Sequence, residues 1–321
     1  MKRIGTMPAA ILFAVLCPAT LFGAADAAKD TPGSPPDAKP IFLKDAYPGL
    51  SSGCLTFVRL SSLPEGVLLH TKHLTVRETD LNQEIEKAQP ELREKLRKNS
   101  FYLLEQTAIR KLLLSLAQDE VAKTKPDNTP PKSEPELLDA FLQSLTIQVK
   151  VTDEEVADFY RQNQDLCGGA TLSQMQEVLK QVVLQEKRQK VVEEYIRTLG
   201  QQIRIEIASP WCAVQAERMR DNPVDRARWN GRPSLVDFGS AGCRPCDMMA
   251  PILETLKEKY QGKLDVLFIH VGQEPILAGR YGIQSIPIQV FFDEKGREVF
   301  RHVGFFPQNE VEKKLQEMGV K

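Results

Sequence analysis

One stretch of the chain decides the fold, and it reads Leu235-Val-Asp-Phe-Gly-Ser-Ala-Gly-Cys243-Arg-Pro-Cys246-Asp-Met-Met-Ala-Pro251. Its first residues are apolar and either branched or aromatic, which predicts a buried strand. Residues 239–242 then predict a turn, and the residues after Cys243 predict a helix with Cys246 in its first turn. The stretch therefore places two cysteines where a strand passes into a helix.

This position favours redox chemistry at the two cysteines. The N-terminus of a helix offers unpaired N–H groups and a partial positive charge, and both stabilise a thiolate. Cys243 lies at that end and is predicted to be the attacking sulfur, with the positive charge of Arg244 beside it. Cys246 lies one turn further along, where it can resolve a mixed disulfide. The pattern predicts thiol–disulfide exchange, for which we expect no cofactor.

A Cys-x-x-Cys pair can also form half of a zinc site. Such a site needs a second pair of ligands, and the sequence offers no other Cys-x-x-Cys and no histidine pair at ligand spacing. We therefore expect no metal. The histidines are interpreted as ordinary surface or half-buried residues: His70, His73, His270 and His302.

Further short motifs follow one another from about residue 222 to the C-terminus. They are Val236-Asp-Phe, Cys243-Arg-Pro-Cys, Met249-Ala-Pro-Ile-Leu, Lys257-Glu-Lys-Tyr-Gln-Gly-Lys-Leu, Tyr281-Gly-Ile, Ile286-Pro and Val303-Gly. In this order they resemble the thioredoxin family. The resemblance implies an α/β thioredoxin fold at the C-terminus, over residues 210–321.

The resemblance also implies roles for single residues. Asp237 would be the buried carboxylate behind the cysteines, and Pro245 is shared with reducing thioredoxins. Pro251 would kink the active-site helix. Pro287 would form a cis bond with Ile286 within touching distance of Cys243, although a proline can also simply begin a strand.

Three positions depart from the thioredoxin pattern. Gly242 stands where thioredoxin has a tryptophan, and Ile286 precedes the expected cis-proline. Both positions face the substrate in the family. A lysine that thioredoxins often carry near the buried aspartate is replaced by Phe268. The redox machinery therefore carries over, whereas the partner preferences of thioredoxin need not.

The N-terminus has the pattern of a secretory signal peptide over residues 1–27. A basic start precedes an apolar segment at residues 9–17 and a small-x-small cleavage site at residues 25–27. The apolar segment is short for a spanning helix, which needs about 20 residues, and Leu16 before Cys17 fits a lipoprotein signal poorly. We therefore expect an exported protein, periplasmic if the cell is Gram-negative.

A proline-rich linker is predicted over residues 28–46, followed by a mainly α-helical domain over residues 47–209. Two short strands at residues 55–60 and 67–73 are expected to form a hairpin. The helical period then predicts helices at 79–88, 92–122, 137–149, 152–160 and 171–199, and alternation predicts a strand at 203–207.

Three cysteines lie outside the signal peptide and the active-site pair. They are Cys54, Cys167 and Cys212, and they can form at most one further disulfide within the chain.

This helical part resembles the chaperone portion of SurA-type and parvulin-linked foldases. The resemblance rests on helical patterns that begin at Leu74, Leu104, Val151 and Val178 and close on residues 203–207. In parvulin foldases an isomerase domain lies between the last two helices. Only residues 164–172 lie there in this chain, which is too short for a domain, so no prolyl-isomerase activity is expected. A spacer or dimerisation bundle is the alternative interpretation.

The charge balance does not favour binding to nucleic acid, because Lys and Arg number 42 and Asp and Glu number 43. The leading hypothesis is an exported thiol–disulfide oxidoreductase whose helical arm holds unfolded or thiol-containing client proteins. A membrane thiol–disulfide partner would donate or accept its electrons. The alternatives are a chaperone or assembly factor whose thioredoxin fold mainly binds partners, and a dedicated reductant for one partner, such as apocytochrome c.

Overall fold

The computed structural model describes residues 40–51, 53–124, 133–167 and 169–321. The predicted signal peptide and residues 28–39 of the predicted linker lie outside the described residues. Across the described ranges, no helix combines the length and the apolar character needed to cross a membrane.

The first part of the chain is mainly helical. Its elements are α1 (Leu43–Ala46), β1 (Arg59–Ser61), β2 (Val67–His70), β3 (Thr75–Arg77), α2 (Glu78–Lys87), α3 (Pro90–Lys98), α4 (Ser100–Thr124), α5 (Glu134–Thr146), α6 (Asp153–Gln162), α7 (Leu172–Gln202) and β4 (Glu206–Ala208).

The second part alternates helices and strands. Its elements are α8 (Ser209–Met219), α9 (Pro223–Arg228), β5 (Ser234–Gly239), α10 (Arg244–Lys259), β6 (Asp265–His270), α11 (Pro275–Arg280), β7 (Ile288–Phe292), β8 (Glu298–Val303) and α12 (Gln308–Glu317).

The described residues group into two compact units. The helical unit comprises the described residues up to Gln148 together with Gln189–Arg218, and the redox unit comprises Val149–Arg188 and Met219–Lys321. This division differs from the expected boundary between residues 209 and 210, because the first half of α7 and all of α6 belong with the redox unit. Helical periodicity shows which face of a helix is buried, but it does not show which neighbour covers that face.

The sheet of the helical unit has the strand order β1-β4-β2-β3. β1 pairs in parallel with β4, and β2 pairs antiparallel with β3 and β4. The expected hairpin between the first two strands is therefore wrong, because β4 takes the place between them. Leu55, Leu69 and Ile207 are fully buried in this unit.

The predicted linker is too long at its C-terminal end. Phe42 forms a β-bridge with Arg59, and the Leu43 side chain is fully buried. The N–H of Leu43 also donates to the carbonyl of Val58 at 3.0 Å. These contacts make residues 41–46 part of the folded unit, because an apolar side chain gains free energy when it leaves water.

The helices largely follow the sequence, with one break. The helix expected over residues 92–122 is two helices, α3 and α4, which meet at Asn99. The Asn99 side-chain amide donates to the carbonyl of Lys95 at 2.8 Å, a local bond by which asparagine competes with continued helix. The predicted capping box before α6 is confirmed, since Thr152 and Glu155 bond each other's backbone N–H groups.

The sheet of the redox unit has the strand order β6-β5-β7-β8. β5 lies inside it, parallel to β6 and antiparallel to β7, and all its residues are buried. One face packs on α10 and α12 through residues that include Leu235, Leu253 and Leu315. The other face packs on α9 and α11 through residues that include Val236 and Leu277. This arrangement confirms the α/β thioredoxin fold at the C-terminus.

Candidate active site

The two cysteines lie at the start of α10. Cys243 is the N-cap residue and Cys246 lies in the first turn, and their sulfurs are joined in a disulfide with the Cα atoms 5.2 Å apart. Cys246 is only 4% exposed, whereas Cys243 is half-buried. The outer sulfur is thus the one that a second molecule can reach first.

The neighbouring residues support the start of this helix. Arg244 and Pro245 occupy its first two positions, where the missing N–H of proline costs no helical hydrogen bond. Arg244 is exposed, so water screens the effect of its charge on the adjacent sulfur. Pro251 lies inside α10, and the Thr255 hydroxyl donates to its carbonyl at 2.8 Å.

The segment opposite the disulfide carries the predicted cis-proline. The Ile286–Pro287 peptide bond is cis, and the carbonyl oxygen of Ile286 lies 3.9 Å from the Cys243 sulfur. The predicted cis bond and its closeness to Cys243 are therefore confirmed. Gly242, directly before Cys243, is exposed and has a φ of +76°.

Asp237 lies in the middle of β5 and is 0% exposed. The Gln289 side-chain amide donates to Asp237 Oδ1 at 2.7 Å, while Oδ2 accepts no hydrogen bond from the described residues. Burial raises the pKa of Asp237 to about 6, and the bond from Gln289 opposes that rise. The carboxyl group can therefore bind or release a proton near neutral pH.

Phe268 faces Asp237 from the neighbouring strand β6. An ideal Cβ placed on Gly239 would lie 2.9 Å from the Phe268 ring and 3.3 Å from the Cys246 sulfur. The aromatic ring and the inner sulfur therefore lie close to the same point, and only a glycine leaves them room. On β6, the neighbour of Asp237 is therefore an apolar aromatic side chain rather than a charged one.

The part of the chain that contains this site is similar to known proteins. A family model described as "Thioredoxin-like domain" matches residues 221–319. The thioredoxin of Chlorobaculum thiosulfatiphilum is 40% identical over 83 residues, which is 26% of this chain and 76% of that protein. The chain belongs to the thioredoxin family.

Two further relatives agree. The thioredoxin of Alicyclobacillus acidocaldarius subsp. acidocaldarius is 35% identical over 100 residues, 31% of this chain and 94% of that protein. A thioredoxin of Staphylococcus aureus is 42% identical over 77 residues, 24% of this chain and 73% of that protein. These similarities support thiol–disulfide oxidoreductase activity of the thioredoxin domain. The resemblance of the helical part to SurA-type foldases stays a prediction.

Sequence reasoning missed two residues of the thioredoxin domain that lie around the site. Gln289 is the partner of Asp237, and its signal was a single polar residue within the apolar strand Ile288–Phe292. Gly239 allows the close approach of Phe268 and Cys246, and nothing in the turn sequence distinguished it from the other turn residues.

The histidines match their interpretation as surface or half-buried residues. In the thioredoxin domain, His270 Nε2 accepts a long hydrogen bond of 3.4 Å from the Ala241 N–H, in the turn before Cys243. His302 stacks on Phe306 with 4.2 Å between the ring centroids. Among the described residues, no group of three or more His, Cys, Asp or Glu side chains could hold a metal ion.

The remaining described cysteines are free thiols: Cys54, Cys167 and Cys212. Burial raises the pKa of Cys212 to about 12 and that of Cys54 well above its ordinary value. A thiol with a raised pKa forms little of the thiolate that exchange requires. The two buried thiols are therefore poor nucleophiles compared with a sulfur at a helix N-terminus.

Proposed function

We propose that this protein is an exported thiol–disulfide oxidoreductase that exchanges disulfides with client proteins through Cys243 and Cys246. The observation that carries the proposal is the disulfide at the start of α10. Its outer sulfur is half-exposed beside the Ile286 carbonyl, and its inner sulfur is buried. This difference in exposure supports attack on the client by Cys243 and resolution by Cys246.

In the reducing direction, the Cys243 thiolate attacks a client disulfide and forms a mixed disulfide, and the first client sulfur leaves as a thiolate. Cys246 then loses its proton and attacks the Cys243 sulfur, which forms the Cys243–Cys246 bond and releases the second client sulfur. Both client thiolates take protons from water. Two electrons pass from the dithiol to the client, and oxidation of a client dithiol is the same sequence reversed.

Export places this exchange outside the reducing cytosol, where disulfides persist. The reaction then needs an electron donor or acceptor of its own, and we assign that role to a membrane thiol–disulfide protein. A redox titration of the Cys243–Cys246 pair against glutathione would give the direction of electron flow. A potential near that of thioredoxin, about −270 mV, would favour a reductant, and one near −120 mV an oxidant.

The proposed role of the helical part is to hold unfolded clients. Large apolar side chains are exposed on its surface, with Ile147 at 72%, Val121 at 44% and Val191 at 38%. Each of these side chains would leave water on contact with the apolar segments that an unfolded chain exposes. Covalent linkage to the redox site would raise the effective client concentration to about millimolar without any new contact at the sulfurs.

The test measures both activities in the full chain. We expect the reduced protein to reduce insulin disulfides and Cys243→Ser to abolish that turnover. The same variant should still suppress aggregation of an unfolded protein, because the surface that binds clients is unchanged. If the wild-type protein neither reduced insulin disulfides nor, in its oxidised form, oxidised a dithiol peptide, the redox proposal would be contradicted. Normal reduction without any effect on aggregation would contradict the client-holding role alone.

A further inference from the structure

Four side chains form a row across the sheet of the thioredoxin domain. Asp237 is paired in register with Phe268 on β6 and with Gln289 on β7, and Gln289 is paired with His302 on β8. Paired residues on adjacent strands point to the same face, with Cβ atoms about 5 Å apart. The row shares the face of Leu235, which packs on α10, so it lies beneath the helix that carries Cys246.

Asp237 has an unusual set of neighbours within this row. Phe268 offers it no polar atom, and Gln289 donates to Oδ1 at 2.7 Å. Asp237 and Gln289 are each 0% exposed. Within the described chain, Asp237 Oδ2 and Gln289 Oε1 have no hydrogen-bond partner. Oδ2 is therefore the carboxylate oxygen of Asp237 that remains available to a further proton donor.

We infer that Gln289 is a positioning residue for thiol–disulfide exchange, because it orients the Asp237 carboxyl group so that Oδ2 stays free to take the proton of Cys246. This inference rests on the exchange reaction proposed above. The amide fixes Oδ1 as the hydrogen-bonded oxygen, and a second proton donor at Oδ1 would compete with it. The proton that leaves Cys246 therefore binds Oδ2. The sulfur electron pair forms the bond to Cys243, while the bond between Cys243 and the client sulfur breaks and the client sulfur leaves as a thiolate.

Phe268 is the apolar neighbour of Asp237 on the other side of β5 from Gln289. Its ring lies beside the point that the Cys246 sulfur also approaches, at 2.9 Å and 3.3 Å from an ideal Gly239 Cβ. A hydrocarbon there neither donates to the carboxylate nor stabilises its charge. The partner that steadies Asp237 therefore comes from β7, on the opposite side of β5, and it is a neutral amide.

Other titratable groups near the row define the controls. Among the described residues, Cys246 lies beside Gly239, two residues beyond Asp237 on β5. His302 is paired with Gln289 on β8, and His270 lies two residues beyond Phe268 on β6. His302 Nε2 is bonded to the Phe305 carbonyl, and His270 Nε2 to the Ala241 N–H. The test therefore isolates the part of the pH profile that depends on Asp237.

The test replaces Gln289 with leucine, which has a similar volume but cannot donate. The Asp237 pKa is measured by carbon-13 NMR on the oxidised full-length protein, and the rate of insulin reduction is measured from pH 5 to pH 9. Loss of a hydrogen bond to the carboxylate should raise the Asp237 pKa by about one to two units. The Asp237-dependent limb of the rate profile should move by the same amount. Gln289→Met supplies a second apolar variant if the leucine variant does not fold.

One double variant and one control variant distinguish a positioning role of Gln289 from a merely structural role. In the Asp237→Asn background, Gln289→Leu should leave the pH profile unchanged, because the group that Gln289 orients is gone. Ser234→Ala is the matched control, since Ser234 Oγ is a buried polar atom without a partner among the described residues, on the same strand. This variant should move neither the Asp237 pKa nor the profile.

An unchanged Asp237 pKa in Gln289→Leu, or an equal shift of the profile in the Asp237→Asn background, would overturn the inference. If the wild-type protein exchanged disulfides in neither direction, the proposed function would fail. The NMR titration would then still decide whether Gln289 holds the Asp237 carboxyl group.

Discussion

Asp225 and Arg280 form an ion pair of 2.7 Å inside the thioredoxin domain, with side chains that are only 1% and 8% exposed. Arg228 pairs with the same carboxylate at 3.1 Å, and the Tyr281 hydroxyl donates to it at 2.8 Å. Arg228 also lies over the Phe292 ring at 4.7 Å. One carboxylate therefore joins α9 to α11 and to the core of the sheet.

Asp225→Ala should strongly destabilise the domain, because it removes a buried carboxylate that pairs with the guanidinium groups of Arg228 and Arg280. We expect a loss of about 3–5 kcal/mol in the free energy of unfolding, measured by urea denaturation. Asp221→Ala is the matched control, since Asp221 pairs with Arg226 at 2.7 Å while both side chains are about 70% exposed. That variant should lose less than about 1 kcal/mol, and equal losses would contradict the assignment.

Stability should fall as the pH rises through the titration of Asp237. Its pKa is raised from 3.8 to about 6 in the folded protein, so the native state keeps a proton that the unfolded chain has released. The contribution is fully present below about pH 4 and is lost by the time the pH has passed about 6, a change of about 3 kcal/mol. Urea midpoints for the oxidised wild type and for Asp237→Asn across this range give the measurement. If the stability of Asp237→Asn fell with pH as steeply as that of the wild type, the pH dependence would come from another group.

Glu105 should anchor the loop before the short 3-10 helix Cys54–Phe57 of the helical unit. Its carboxylate accepts from the Ser51 hydroxyl at 2.5 Å and from the Leu55 N–H at 3.2 Å, and burial raises its pKa. Glu105→Ala removes a buried acceptor from both donors and should cost about 2–4 kcal/mol. Thermal melts of this variant and of the exposed-site control Glu91→Ala provide the check. Similar melting temperatures for both would show that the loop does not depend on the carboxylate.

Cys243 should react before Cys246 in the reduced protein. A brief pulse of iodoacetamide at mildly acidic pH should label Cys243 at least about tenfold faster, because thiolate at a helix N-terminus is the reactive form. Peptide mass spectrometry quantifies the labelling, and the buried Cys54 and Cys212 serve as internal unreactive controls. Faster labelling of Cys246 would reverse the roles assigned to the two sulfurs.

The sequence predicted the redox site well because its parts are close along the chain or have a fixed family order. Cys243 and Cys246 belong to one helical turn, and Pro287 was placed by the motifs around it. Gln289 was not found, because its role depends on the register between β5 and β7. A polar residue in an apolar strand indicates a buried partner, but the pattern of one strand does not name it.

The helical part was predicted less completely for a related reason. The apolar stripes gave most helix positions, and the capping box at Thr152 gave a helix start. The pairing of β1 with β4 joins residues 59–61 to residues 206–208, and no short-range signal specifies such a distant partner. The grouping of α6 with the redox unit depends on tertiary contacts in the same way.

Gly242 has a consequence for the range of clients. In the described part of the chain, apart from Gly242 and its two chain neighbours, no atom lies within 4 Å of the place where its Cβ would be. An incoming sulfur must approach the disulfide along the line of the bond that breaks. In the proposed exchange, position 242 therefore imposes no steric limit on bulky residues around a client cysteine. The cis-proline segment, whose Ile286 carbonyl lies 3.9 Å from the Cys243 sulfur, is then the neighbouring surface that can select among clients.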